Sequence, residues 1–298
     1  MTAGRSNGRA SGMTGTSVMP TAGALREVGC KLVLEVRGDT ALALQVAAAT
    51  TAGEVLDEGF EVTLDDRPLT QPVIERADGS GRIHLVRSGS GTLVVSYAAT
   101  IRTPPPAPGP TGAADEAGLD SDSIVALRQS RYCPSDAMTG FAVTELAALE
   151  REPDLAGAVA TWVFERLARA ETSSPLDTAV DTLISGAGVC RDFAHLTISL
   201  CRALGVPARF VSVYAPGLSP MEFHAVVEAR RGSGWAVLDP TRLAPRLSLV
   251  RIATGRDAAD SAFVTTLRGE AELVSSEVVA VVDGDLPADD HVTSVSLP

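Results

Sequence analysis

Along the first third of the chain, apolar and polar residues alternate with the period of two that a half-buried strand requires. Leu32, Leu34 and Val36 share one face, Gly38-Asp39 follows, and Leu42, Leu44 and Val46 resume the pattern. A two-residue Gly-Asp between alternating runs predicts a hairpin. Further strands are predicted at 60–64, 82–86 and 92–97. Residues 24–103 are thus expected to form a small antiparallel β domain. His84, on one of these alternating strands, is expected to be exposed rather than catalytic.

The pattern then changes period. Thr103 to Pro110 is too rich in proline for a helix or a sheet ladder, and 104–127 reads as a stiff linker. A helix is predicted from Ser135-Asp136, carrying Val143, Leu146 and Leu149. A second follows Pro153-Asp154 with Leu155, Val159, Trp162, Val163 and Leu167. A third has Ser174 as N-cap, Pro175 at its first position, and Leu176, Ala179, Val180 and Leu183 on one face. A fourth runs from about Cys190, with Phe193, Leu196, Leu200 and Leu204 at helical spacing, to a stop at Gly205 and Pro207. Strand patterns return at 208–214, 223–228, 235–239 and 274–282. Helices followed by runs of strands give α+β for residues 128–285, with 286–298 as a C-terminal tail. Met1 to Gly23, rich in Gly, Ser, Thr and Ala without periodicity, is expected to be a disordered extension.

Composition narrows the function. The 298 residues, 45% of them hydrophobic, can bury a sizeable core. The 25 Lys and Arg against 37 Asp and Glu leave a net charge of -12, which opposes phosphate backbones and anionic membranes. No run approaches the roughly 20 apolar residues of a membrane span, and the N-terminus lacks the apolar stretch of a signal peptide. The expectation is a cytoplasmic protein without nucleic-acid or membrane partners. Cys30, Cys133, Cys190 and Cys201 are too scattered for a zinc motif or a disulfide framework, and no metal or cofactor is expected. Cys190 and Cys201, eleven residues apart on one helix, would be roughly 16 Å apart and unable to bridge.

The chemistry concentrates at 186–196, where a glycine loop delivers Cys190 to a helix start. Unsatisfied N–H groups and the positive end of the helix dipole there favour a negatively charged thiolate and can bind an oxyanion. Downstream, the strands bearing His224 and Asp239 are joined by a predicted four-residue loop, 230–233. That register sets His224 directly opposite Asp239, with Cβ atoms about 4.5–5.5 Å apart. A carboxylate there can accept one imidazole N–H and leave the other ring nitrogen for a thiol. Cysteine, histidine and carboxylate in this arrangement perform covalent acyl transfer. His195, turned about 140° around the helix from Cys190, is read as structural. Cys30 and Cys133 are read as inert core thiols.

At these residues the chain resembles the bacterial branch of the transglutaminase-like superfamily. The resemblance rests on Gly188 to Leu196, on Arg202 to Arg209, on Phe223-His224-Ala225 and on Trp235 to Thr241, with 131–136 and 255–260 similar to segments flanking the core. It covers residues 128 to about 285, and the β domain before them is similar to the branch's usual companion. It implies a papain-like core with Cys190 as nucleophile, His224 as base and acid, and Asp239 as orienting carboxylate. The superfamily includes cross-linkers, peptidases, amidases and inactive scaffolds. Its cross-linkers use a tryptophan as a second oxyanion donor; Trp162, inside an amphipathic helix, fits the core equally well. Arg256 and Asp257 are expected to form an internal ion pair. The resemblance does not settle the reaction. Hydrolysis of a peptide or protein amide is expected over transfer to an amine, because water is always available as acceptor and nothing in the sequence marks an amine-binding site. The alternatives are an amine-accepting transglutaminase and a non-catalytic scaffold.

Overall fold

A computed structural model describes residues 24–70, 72–75, 80–104, 109–112 and 120–298. The expected N-terminal extension, and residues 105–108 and 113–119 of the expected linker, lie outside the described residues. The first half is a curled antiparallel sheet of β1 (Leu25–Leu44), β2 (Glu54–Leu64), β3 (Arg67–Pro68), β4 (Val73–Glu75), β5 (Arg82–Ser88) and β6 (Gly91–Arg102). The second half contains α1 (Ser121–Val125), α2 (Ser135–Glu145), α3 (Leu155–Arg166), β7 (Ala168–Arg169), α4 (Ala179–Ser185), β8 (Ala187–Gly188) and α5 (Cys190–Ala203). There follow β9 (Ala208–Tyr214), β10 (His224–Arg231), β11 (Gly234–Leu238), β12 (Val250–Gly255) and β13 (Val264–Val282).

The expected hairpin at Gly38-Asp39 does not form. β1 continues through it as one strand of 20 residues, pairing β6 over its first part and β5 over its last. Gly38 takes a positive φ of 71°, but the chain runs on past the pair without reversing. The pair instead makes a bulge, marked by a register shift against β13 between Arg37 and Ala41.

β13 departs from expectation in its partner. The strand pattern at 274–282 belongs to a longer strand that leaves the second half and pairs β1 along almost its whole length. One hydrophobic core joins the halves: Leu32, Leu34 and Leu44 of β1 share it with Tyr214, Val250 and Ile252 of the second sheet. The Tyr214 hydroxyl donates to the Val46 carbonyl at 2.7 Å.

In the second half, β11, β10, β9 and β12 form an antiparallel sheet in that order, with α5 against it. Ala225, Val227 and Ala229 of β10 face the cluster that contains Phe193, Leu196 and Leu200 of α5, while Val226 and Val237 face another beyond the sheet. The latter cluster includes Val295 and Leu297, so the C-terminal tail packs onto the second half, where the Val237 N–H donates to the Val295 carbonyl. The linker's last residues also dock: α1 is capped by Asp120, and the Ala126 carbonyl accepts from the Ala208 N–H and from Arg202 Nε.

His84 is buried, contrary to expectation, and stacks on Phe60 with ring centroids 3.7 Å apart. Burial, aided by the nearby Arg82 charge, lowers its pKa to about 4. The helix expected from Ser174 starts later, at Ala179, capped reciprocally by Thr178 and Asp181. Ser174 and Asp177 close their own turn instead, leaving Leu176 exposed.

Candidate active site

α4 ends at Gly186 in the left-handed region, at φ 68°, which a glycine adopts without strain. The chain then pairs β8 with β7 and enters α5 at Cys190. Asp192, buried in the first turn, accepts from the Val189 N–H at 3.0 Å and pairs with Arg191 at 2.9 Å. Arg191 also reaches Ser173 Oγ and the Ser174 carbonyl, so the loop carrying Cys190 is held from both sides. A Cβ on Gly188 would come within 2.6 Å of Asp192 Cβ, so that position admits only glycine.

His224 opens β10, and Asp239 follows the last residue of β11. The hairpin between them is tighter than expected. Arg231 faces Gly234 and Val227 faces Leu238, a two-residue turn in place of a four-residue loop. The ladder therefore shifts by two, and Asp239 sits diagonal to His224 rather than opposite. A shift of two keeps both side chains on one face. The Asp239 carboxylate still reaches the ring, with Oδ2 at 3.1 Å from His224 Nε2.

Asp239 is fully buried and fully bonded. Oδ1 accepts from the Thr241 N–H at 2.9 Å and the Thr241 hydroxyl at 2.6 Å, and Oδ2 accepts from the Leu243 N–H at 3.3 Å. Burial alone would raise its pKa, but the His224 charge and hydrogen bond and the Thr241 donors outweigh it, giving about 2. Burial likewise opposes charge on His224. Asp239, and to a lesser degree the neighbouring Cys190, overcome this and raise the imidazole to about 10. With Nε2 committed to Asp239, Nδ1 is the ring nitrogen left for a thiol. Asp239 thus bonds His224, and His224 shares the walls of one cleft with Cys190.

Cys190 is partly exposed, whereas Cys30, Cys133 and Cys201 are buried. Burial raises those thiols to about 11, about 12 and about 12, which disfavours thiolate formation at all three. Cys190 and His224 lie on the wall shared by two cavities of about 510 and 520 Å³. Phe223 lines both, so they form two halves of one cleft. The first half carries Arg169, Glu171 and Glu222; the second is more apolar, with Tyr132, Pro175, Ala258 and Phe263. The segments 131–136 and 255–260 thereby meet at the cleft.

His195 is fully buried and lines neither cavity; it stacks on Tyr132 with centroids 5.2 Å apart, and its Nε2 accepts from the Ala258 N–H. Burial lowers its pKa to about 4. Trp162 packs edge-on against Phe141 in the helical core. The ion pair expected between Arg256 and Asp257 is replaced by Arg256 with Asp260 at 2.8 Å. The Asp257 carboxylate instead accepts from the Tyr132 and Ala259 N–H groups and ties the two flanking segments together. Among the described residues, no cluster of three or more His, Cys, Asp or Glu side chains is arranged to hold a metal ion. Thr241 was given no role by the sequence, where it stood only as the last residue of the Trp235–Thr241 segment.

A model of the transglutaminase-like superfamily matches residues 142–240, the stretch that carries all three site residues. The crystal structure of a Cytophaga hutchinsonii protein named "a Putative Cysteine Protease" superposes with a TM-score of 0.83 at 30% identity, over 93% of this chain and 99% of that one. An uncharacterized protein of Mycobacterium leprae (strain TN) is 32% identical in an alignment 150 positions long that covers 46% of this chain and 52% of that protein. The match thus spans about half the length of that curated relative. The chain belongs to the transglutaminase-like superfamily and has its fold.

Proposed function

We propose that the protein is a cysteine-dependent acyl-transfer enzyme acting on a peptide or isopeptide-like amide, with water as the usual acceptor. The observation that carries this reading is the bonded His224–Asp239 pair on the wall of the cleft that the partly exposed Cys190 also lines. A scaffold protein has no chemical need for an accessible thiol and a bonded His–Asp pair on one cleft wall.

In this reading Cys190 gives its proton to His224 and the thiolate attacks the carbonyl carbon. The oxyanion that forms is met by N–H groups at the start of α5, which have no intrahelical acceptor. The carbon–nitrogen bond breaks as His224 passes its proton to the leaving amine, leaving a thioester on Cys190. His224 then takes a proton from water, whose oxygen attacks the thioester, and the carboxylic acid departs as the thiol is restored. Asp239 holds the ring throughout and stabilises its charged form. An amine in place of water would give transfer by the same steps.

The test uses an amide-based electrophilic probe on the intact protein. Labelling is expected to be lost in Cys190→Ala and kept in Cys201→Ala; equal labelling of both overturns the assignment of the nucleophile. Hydrolysis and transfer separate by whether an added primary amine accelerates loss of the acyl group. No acceleration is expected.

A further inference from the structure

β13 pairs β1 on one edge, and among the described residues no strand pairs its other edge. A free edge is a template for another extended chain, and proteins guard such edges with charges and bulges. β13 is guarded along most of its length. Arg268, Glu270, Glu272 and Glu277 punctuate it, and its register against β1 slips beside Leu267 and again between Leu273 and Ser275. Val264-Thr265-Thr266 carries neither charge nor bulge, and this unguarded end lines the apolar half of the cleft with Cys190 and His224.

The backbone there points the right way. The Phe263 carbonyl accepts from the Gln45 N–H at 3.0 Å, so it faces the β1 side. Successive residues along a strand present their hydrogen-bonding groups to alternate edges. The N–H and C=O of Val264 and Thr266 therefore face the free edge. Thr265 and Thr266 are exposed, and Phe263 stacks on Phe223, next to His224, with centroids 5.1 Å apart.

We propose that the substrate is an extended polypeptide whose main chain adds to the edge of β13 at Val264 and Thr266, with apolar side chains toward this half of the cleft. The β domain thus supplies the subsite that aligns the scissile amide with Cys190. This rests on the acyl-transfer reading, and its test does not require turnover.

The probe is a pool of acetylated decapeptides randomised over Ala, Val, Leu, Thr, Ser and Gln, added to the full chain. The pool is expected to slow iodoacetamide alkylation of Cys190 and to slow amide hydrogen exchange at Val264 and Thr266 about tenfold. Val264→Pro removes the outward N–H while leaving the β1 ladder intact, and proline is tolerated on edge strands. That variant is expected to be alkylated at the wild-type rate and to lose protection by the pool. Protection of Cys190 without slowed exchange at 264 and 266 overturns the subsite and leaves the acyl-transfer reading standing. No protection of Cys190 overturns the polypeptide substrate. Should Val264→Pro not fold, exchange on the wild-type chain decides alone. The acyl-transfer reading fails separately, if Cys190 takes up no acyl group.

Discussion

His224 and Asp239 lie two positions out of register across the β10–β11 hairpin, yet Nε2 and Oδ2 are 3.1 Å apart. Diagonal neighbours on one face of an antiparallel pair are farther apart than direct partners but still within reach of longer side chains. The carboxylate can make this reach because it stands just past the last ladder pair, at Pro240-Thr241, where the backbone leaves the sheet. Its charge is what holds the ring charged. Asp239→Asn keeps the size and one acceptor but removes the charge, and kcat/KM on an amide substrate is expected to fall roughly a thousandfold or more. A drop of less than tenfold would remove Asp239 from the mechanism.

Thr241 acts through Asp239. Its hydroxyl donates to Oδ1 at 2.6 Å inside a buried site, and Thr241→Val leaves that oxygen one donor short. The expected cost is about 1–2 kcal/mol in transition-state stabilisation, roughly a tenfold loss in kcat/KM, with Thr241→Ser restoring it. A serine variant as impaired as the valine variant would make Thr241 a packing residue only.

The alkaline limb of the pH–rate profile reports His224. In the proposed mechanism the ring must carry a proton to hand to the leaving amine, and its pKa is raised to about 10. Activity is therefore expected to persist well above neutrality and decline toward pH 10. In Asp239→Asn the decline is expected to move toward the value of an ordinary imidazole, about 6.5. A wild-type limb already near 6.5 would contradict the strength of the His224–Asp239 coupling.

Much of this site was legible in the chain because it rests on short-range patterns. The helical spacing of Phe193, Leu196 and Leu200 placed Cys190 at a helix start, and alternation in 208–214, 223–228 and 235–239 located the strands that carry the other two residues. The exact ladder was not legible, since turn length alone separates the two registers and both keep His224 and Asp239 on one face. Partners distant in sequence were also hidden. The stretch 274–282 reads as a strand, but nothing in it says that it pairs β1, more than 230 residues earlier. His84 misled because its alternation matches a solvated face, while the curled sheet buries it against Phe60. At Ser174 a good capping residue was spent on a local turn with Asp177, and the nearby Thr178 and Asp181 capped the helix.

Stability is expected to fall on mild acidification. His84 and His195 have pKa values lowered to about 4, and His291 is also lowered. Such groups contribute stability above their unfolded value, about 6.5, that is lost as pH falls through the folded value. For the fully buried His195 the loss is of order 3 kcal/mol. His224, raised instead, contributes its full stability below 6.5 and does not offset the trend. Denaturant midpoints at pH 6.5 and 4.5 test this. His195→Gln, which keeps an acceptor for the Ala258 N–H, is expected to flatten the difference, and an unchanged slope would show that His195 is not responsible.

The most direct measurement is the mass of the intact protein after acid quenching during reaction with an amide substrate. A covalent acyl adduct is expected on the peptide containing Cys190. It should be released by hydroxylamine as a thioester is, be absent in Cys190→Ala and persist in Cys201→Ala. Turnover with no adduct on Cys190, or an adduct that survives in Cys190→Ala, would contradict the account.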